Sequence, residues 1–249
     1  MKVYAVLFDL GDTLWDVDYS GEAQAYRILR RRLKEETGLS IPPAEKLRDA
    51  VAAVFLQETR AWQKGNLKQV PTDDVYRQAL QSLGLNIPAS SLTRLAEDVL
   101  SRSIVYGVDP ETPGVLRALK ERGLAVGAVS NTYQSSRSLE RSLKRYGLMR
   151  YISALVVSSE VGWQKPHPAI FEEALRRLGA QANDTVFVGD NPWADIDGAQ
   201  ALGMKAVLTH QYRQEDPGNS KPDLIIQRLA EVVDYVDRLN RDDPQAPRS

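Results

Sequence analysis

Val3-Tyr4-Ala5-Val6-Leu7-Phe8-Asp9-Leu10-Gly11-Asp12-Thr13-Leu14 is the stretch that decides the fold. Its apolar first half reads as a buried parallel strand, and the glycine after it ends the strand in a sharp turn. Asp9 therefore stands at the carboxyl end of a strand, where open α/β sheets bind their ligands. A strand followed by Asp and Gly is also ordinary turn chemistry. The stretch gains its meaning from three others that follow in order.

Ala125-Val126-Gly127-Ala128-Val129 is a second apolar strand, ending in the small hydrogen-bonding side chains of Ser130-Asn131-Thr132. Gly162-Trp163-Gln164-Lys165-Pro166-His167-Pro168 is a rigid loop that holds one lysine ahead of a helix expected over 169–178. Thr185-Val186-Phe187-Val188 is a third strand, running into Gly189-Asp190-Asn191-Pro192-Trp193-Ala194-Asp195. Taken singly, Asp9, Ser130, Lys165, Asp190 and Asp195 read as turn residues or helix caps. Taken as an ordered set at strand ends, they read as one site.

In that order the chain resembles the haloacid dehalogenase superfamily of hydrolases. The family carries an aspartate nucleophile after strand one, a Ser/Thr after strand two, a Lys before a Pro-rich helix start and an acidic Gly-Asp motif after a later strand. The resemblance covers roughly 1–15 and 108–209. It implies a doubly wound parallel sheet, a Rossmann-like α/β core, with an all-α helical cap inserted after the first motif. It also implies hydrolysis, most often of phosphate esters with magnesium.

Composition narrows the classes. At 249 residues, with 43% hydrophobic residues, the chain suits one large domain or one core with an insertion. A formal net charge of -1 offers nothing to a nucleic acid or an anionic membrane surface. The absence of cysteine removes disulfides, thiol catalysis and thiolate metal sites. With His167 and His210 as its two histidines, the chain is poorly equipped for a His-based zinc site or a Ser-His-Asp triad. The N-terminal apolar run is too short for a signal or membrane-spanning segment, so a soluble, cytoplasmic protein is expected.

Between residues 16 and 106 the pattern turns helical. Amphipathic spacing predicts helices over 23–37, 45–63, 72–83 and 91–106, punctuated by Gly38, Pro42-Pro43, Gly65, Pro71, Gly84 and Pro88. This segment is the expected cap, and 1–15 with 107–240 the expected core. Arg30-Arg31-Arg32 reads either as a solvated helix face or as an anion contact. After Asp109 helices and strands alternate, with an edge strand expected over 223–226, as a parallel sheet requires. The polar tail over 241–249 is expected to be disordered.

Phosphoryl chemistry explains the residue types. A phosphate dianion repels a carboxylate nucleophile, so the site must neutralise charge, and Mg2+ does so through hard oxygen ligands. The resemblance implies Asp9, Asp190 and the Gly11 carbonyl as metal ligands. It implies Asp9 as the nucleophile that becomes an aspartyl phosphate. Lys165, Ser130 and Asn131 are expected on the phosphoryl oxygens of a small phosphorylated substrate. Asp195 is expected to orient Lys165 or a metal-bound water, and Thr13 to hold the turn after strand one. The phosphatase form of the first motif is Asp-x-Asp-x-Thr, whose second Asp is the acid and base. Here that position is Gly11, and an Asp appears one residue later. Either Asp12 swings into the role, or the enzyme works without it and favours good leaving groups. Dehalogenases of the family also lack the second Asp. A 2-haloacid dehalogenase is therefore one rival reading, and a non-catalytic binding protein of the same fold another.

Overall fold

The computed structural model describes residues 2–241, apart from the side chains of Ala89 and Ser90. The expected disordered tail lies outside the described residues except for Arg241, which ends a helix. The chain opens with β1 (Ala5–Phe8) and β2 (Asp16–Asp18). The helices α1 (Glu22–Thr37), α2 (Ala44–Gln63), α3 (Thr72–Ser82) and α4 (Ala89–Ser103) follow, and then β3 (Val105–Gly107). Alternation resumes with α5 (Thr112–Glu121), β4 (Ala125–Ser130), α6 (Ser136–Arg145), β5 (Ala154–Val157), α7 (Ser158–Val161) and α8 (Pro168–Leu178). The chain continues through β6 (Thr185–Gly189), α9 (Gly198–Ala201), β7 (Lys205–Thr209), β8 (Leu224–Ile226) and α10 (Glu231–Arg241).

Six of these strands form one parallel sheet in the order β5-β4-β1-β6-β7-β8. The order reverses direction at β1, so the crevice outside its carboxyl end is the switch point where doubly wound sheets bind ligands. Period-two alternation splits each strand between the two faces. Val6, Phe8, Val126, Ala128, Val186 and Val188 pack on one side against α5, α6 and α10. Leu7, Val129, Val156 and Phe187 pack on the other against α8, through Ile170, Phe171 and Ala174. Phe8 lies in register with both Ala128 and Val188, so the residues following β1, β4 and β6 emerge at one edge.

The helices α1 to α4 bury a separate core, with Leu29 and Leu33 packed among Leu47, Val51, Tyr76, Leu80, Leu95 and Val99. Those positions recur every three or four residues, the spacing of an amphipathic helix. One expectation fails here: the helix predicted to reach Tyr106 stops at Ser103. Val105 to Gly107 pair antiparallel with Asp16 to Asp18, making a two-stranded ribbon that carries the chain into and out of the helical insertion. The β-branched and aromatic residues Val17, Ile104, Val105 and Tyr106 favour pairing over another helical turn. Stacking of Tyr106 on the buried Trp15, with centroids 4.1 Å apart, fixes the ribbon. Among the described residues no helix is long and apolar enough to cross a membrane.

Arg30-Arg31-Arg32 does not reach the strand ends. Arg32 pairs with Asp98 at 3.0 Å, Arg31 lies 3.9 Å from Glu35, and Arg30 donates to the Pro42 carbonyl. The solvated-face reading is the one the structure carries.

Candidate active site

Asp9 follows β1 directly, and its backbone N–H donates to Val188 O at 2.8 Å, which ties the strand end to β6. Ser130 ends β4, and Asp190 follows β6. Lys165 comes from the loop before α8, its peptide bond to Pro166 cis. Its Nζ lies 2.5 Å from Asp9 Oδ1 and 2.6 Å from Asp195 Oδ1, and it donates to Val129 O at 3.2 Å. Asp195 is 1% exposed and Lys165 2%, so this charge cluster is almost dry.

A wide turn brings Asp195 back to the sheet. The segment Pro192–Asp197 is a π-helical turn, continued by α9. Asn191 caps it, its Oδ1 accepting from Ala194 N at 2.9 Å, while Asp195 Oδ2 accepts from Asn191 N at 3.0 Å. Turns of this width concentrate at functional sites because they re-aim one side chain. Gly189 is required by the same packing, since a Cβ there would run into the Asp195 carboxylate.

Burial dominates the titration. It raises the Asp9 pKa, with Asp195 adding to the rise and Lys165 opposing it. Burial likewise raises Asp190, reinforced by Asp195 and Asp9 and opposed by Arg213 and Lys165. For Lys165, burial disfavours the ammonium, and Asp195 and Asp9 more than offset it, so its pKa ends above the usual lysine value.

Asp9, Asp190 and Asp195 each present a carboxylate oxygen within 4.8 Å of the others. Buried, hard oxygen donors in excess of the local lysine charge are what a divalent cation such as Mg2+ requires. The residues present therefore fit the metal. Gly11 lines the same cavity.

Two expected residues make contacts other than those expected of them. Asn131 was expected on the phosphoryl group. Its side chain instead clamps the lysine loop, with Oδ1 accepting from Lys165 N at 2.7 Å and Nδ2 donating to Lys165 O at 3.1 Å. Thr13 was expected to hold the turn after β1. Its hydroxyl is buried and has no hydrogen-bond partner among the described residues, and the turn is closed by backbone: Leu14 N and Trp15 N donate to Leu10 O, and Asp12 N to Trp15 O. Asp12 occupies the left-handed region, φ 54°, and lines the cavity. Burial raises its pKa against the pull of Arg213. His167 serves packing, capping α8 and stacking on Trp163 at 4.0 Å.

Two residues of the site had no signal in the sequence. Arg213, in the loop between β7 and β8, donates to Asp190 Oδ2 at 2.5 Å and lies 3.8 Å from Asp12 Oδ2 and 3.1 Å from Glu215 Oε1. Trp62, near the end of α2, reaches out of the insertion to donate its indole N–H to Lys165 O at 2.8 Å, with its ring 4.8 Å from that of Trp193. A polar loop arginine and a helix tryptophan look like surface and packing residues until the fold joins them.

A family model for haloacid dehalogenase-like hydrolases matches residues 3–203. The chain is 29% identical over 244 residues to a glyceraldehyde 3-phosphate phosphatase of Methanopyrus kandleri, covering 96% of this chain and 100% of that protein. It is 35% identical over 160 residues to a phosphoserine phosphatase of Thermus thermophilus, covering 64% of this chain and 62% of that protein. Among solved structures, a 2-haloacid dehalogenase from Pseudomonas syringae superposes with TM-score 0.67 at 26% identity, covering 95% of this chain and 99% of the other. With the sheet order and the matched length taken together, the chain belongs to the haloacid dehalogenase-like hydrolases.

Proposed function

We propose that this enzyme is a magnesium-dependent phosphomonoesterase acting on a small phosphorylated metabolite through Asp9. The observation that carries the reading is the dry cluster of Asp9, Asp190 and Asp195 around the Lys165 ammonium. Displacement of halide from carbon needs no second and third buried carboxylate. A phosphoryl dianion, whose charge needs a metal as well as a lysine, gives them a use. The phosphatases among its relatives support the same reading.

Asp9, Asp190 and the Gly11 carbonyl would hold the ion, which supplies charge neutralisation at the phosphoryl oxygens. Asp195 holds Lys165 Nζ beside Asp9, and Asn131 and Trp62 hold the backbone of Lys165. One Asp9 oxygen attacks phosphorus as the bond to the leaving oxygen breaks, giving an aspartyl phosphate. Water then attacks that phosphorus, releasing inorganic phosphate and restoring Asp9. Lys165 and Ser130 present donors to the phosphoryl oxygens in both steps. The helical insertion covers the site as a cap.

The dehalogenase reading has one observation in its favour, the absence of a carboxylate at position 11 in a chain that superposes on a 2-haloacid dehalogenase. One assay separates the two. Phosphate release from p-nitrophenyl phosphate should require magnesium and stop with chelator, while halide release from 2-chloropropionate should be absent; the reverse pattern overturns the proposal. Asp9→Asn should lower turnover on the order of 1,000-fold or more while the protein stays folded by circular dichroism. Residual activity near wild type would remove Asp9 from the mechanism.

A further inference from the structure

The cavity over Asp9 measures about 400 Å³ and divides into two regions of opposite chemistry. One region holds Asp9, Ser130, Lys165, Asp190 and Asp195, assigned above to the phosphoryl group and the metal. The remaining wall is built largely by Val17, Tyr19, Trp62, Ile104, Tyr106 and Leu139, contributed by the β2–β3 ribbon, the segments beside it, the insertion and α6.

Among the described residues, Lys165 and Arg213 are the cations lining this cavity, and both are already matched. Lys165 lies between Asp9 and Asp195 at 2.5 and 2.6 Å. Arg213 has Asp190 at 2.5 Å, Glu215 at 3.1 Å and Asp12 at 3.8 Å. A metal ion on Asp190 would take one partner from Arg213, and Asp12 with Glu215 would still outnumber its single charge. A carboxylate or second phosphate on the leaving group would therefore enter a region of net negative potential with no spare cation to receive it. Two of the neutral polar side chains that line the cavity are also engaged. Asn131 is spent on Lys165, and Gln134 donates to Tyr106 Oη at 2.7 Å and accepts from Ser138 Oγ at 3.0 Å.

From this charge balance we infer that the cavity selects phosphomonoesters whose leaving group carries no negative charge, such as a small polyol, aldehyde or aryl alcohol. The inference rests on the phosphomonoesterase reading and names the substrate class of the same site. An aromatic and aliphatic wall suits the carbon skeleton of such a group, and the volume suits a small one.

Glyceraldehyde 3-phosphate and 3-phosphoglycerate test it, because they differ at one carbon, aldehyde against carboxylate. With magnesium present, kcat/KM is expected to be roughly tenfold or more higher for the aldehyde, as like-charge repulsion at short range dictates. Equal or better turnover of the carboxylate overturns the inference. Glu215→Gln removes one carboxylate matched to Arg213 from outside the cavity wall. It should narrow the ratio, chiefly by lowering KM for 3-phosphoglycerate; an unchanged ratio in the folded variant overturns the charge account. p-Nitrophenyl phosphate keeps the two levels apart. Its hydrolysis together with a preference for 3-phosphoglycerate sinks the substrate class alone. Failure to hydrolyse any of the three esters sinks the phosphomonoesterase reading, and this inference with it.

Discussion

Position 11 is where this chain departs most from the phosphatase pattern. Gly11 lies outside the left-handed region, and a Cβ there would meet Val17 Cγ2 at 3.3 Å, a contact a small shift relieves. The strained backbone belongs to Asp12, at φ 54°. Asn and Asp tolerate that region better than other non-glycine residues, so Asp12→Asn should fold. General acid catalysis contributes ~100- to 10,000-fold where a proton must reach the leaving oxygen. If the site works without an acid, its rate should fall steeply as leaving-group pKa rises. Gly11→Asp should then flatten that dependence and raise turnover of alkyl phosphates, measured as a Brønsted plot on both proteins. Asp12→Asn tests the alternative. A loss of orders of magnitude on alkyl esters, with aryl esters spared, makes Asp12 the displaced acid.

At the scale of elements, the insertion and the lysine loop are one hydrogen-bonded unit. Gln69 N donates to Gly162 O at 2.9 Å, Gln164 N to Leu67 O at 2.8 Å, and Ser158 Oγ to Gln69 Oε1 at 2.6 Å. The indole N–H of Trp62 on the Lys165 carbonyl joins the insertion to the loop that carries the proposed catalytic lysine. Trp62→Phe keeps a ring against Trp193 and loses the N–H. A hydrogen bond of this kind contributes about 0.5–1.5 kcal/mol net. The variant should therefore lower kcat on p-nitrophenyl phosphate several-fold while KM stays near wild type. A change confined to KM would make Trp62 a substrate contact only. Core packing is separable from this coupling. Leu47→Ala, at a fully buried position in the insertion, should cost about 2–5 kcal/mol in denaturant unfolding.

For the whole molecule, the buried carboxylates link stability to pH and, if they hold the proposed metal, to magnesium. Asp9 and Asp190 have folded pKa values above their unfolded ones, so the folded state holds their protons more tightly. In chelator, that contribution to stability is complete below the unfolded carboxylate pKa and is lost as pH rises through the raised folded values. A divalent cation must displace those protons, so its stabilisation grows with pH. Melting temperatures with magnesium and with chelator should converge at acid pH and separate toward neutral and alkaline pH. A magnesium-induced shift that is constant across pH would place the metal away from these carboxylates.

The sequence by itself determined the parallel α/β core, the inserted helices and the order of Asp9, Ser130, Lys165, Asp190 and Asp195. Each rests on a signal local in the chain: strand-length apolar runs, helical periodicity, and turn chemistry at the strand ends. The tertiary structure alone decided the ribbon of β2 and β3, the engagement of Asn131 with Lys165, the burial of the Thr13 hydroxyl, and the reach of Trp62 and Arg213 into the site. Those depend on pairs far apart in the chain, such as Trp62 with Lys165 and Arg213 with Asp190. The Trp62 and Arg213 side chains belong to no motif, and only packing of the insertion and the 210–223 loop against the strand ends brings their partners within reach.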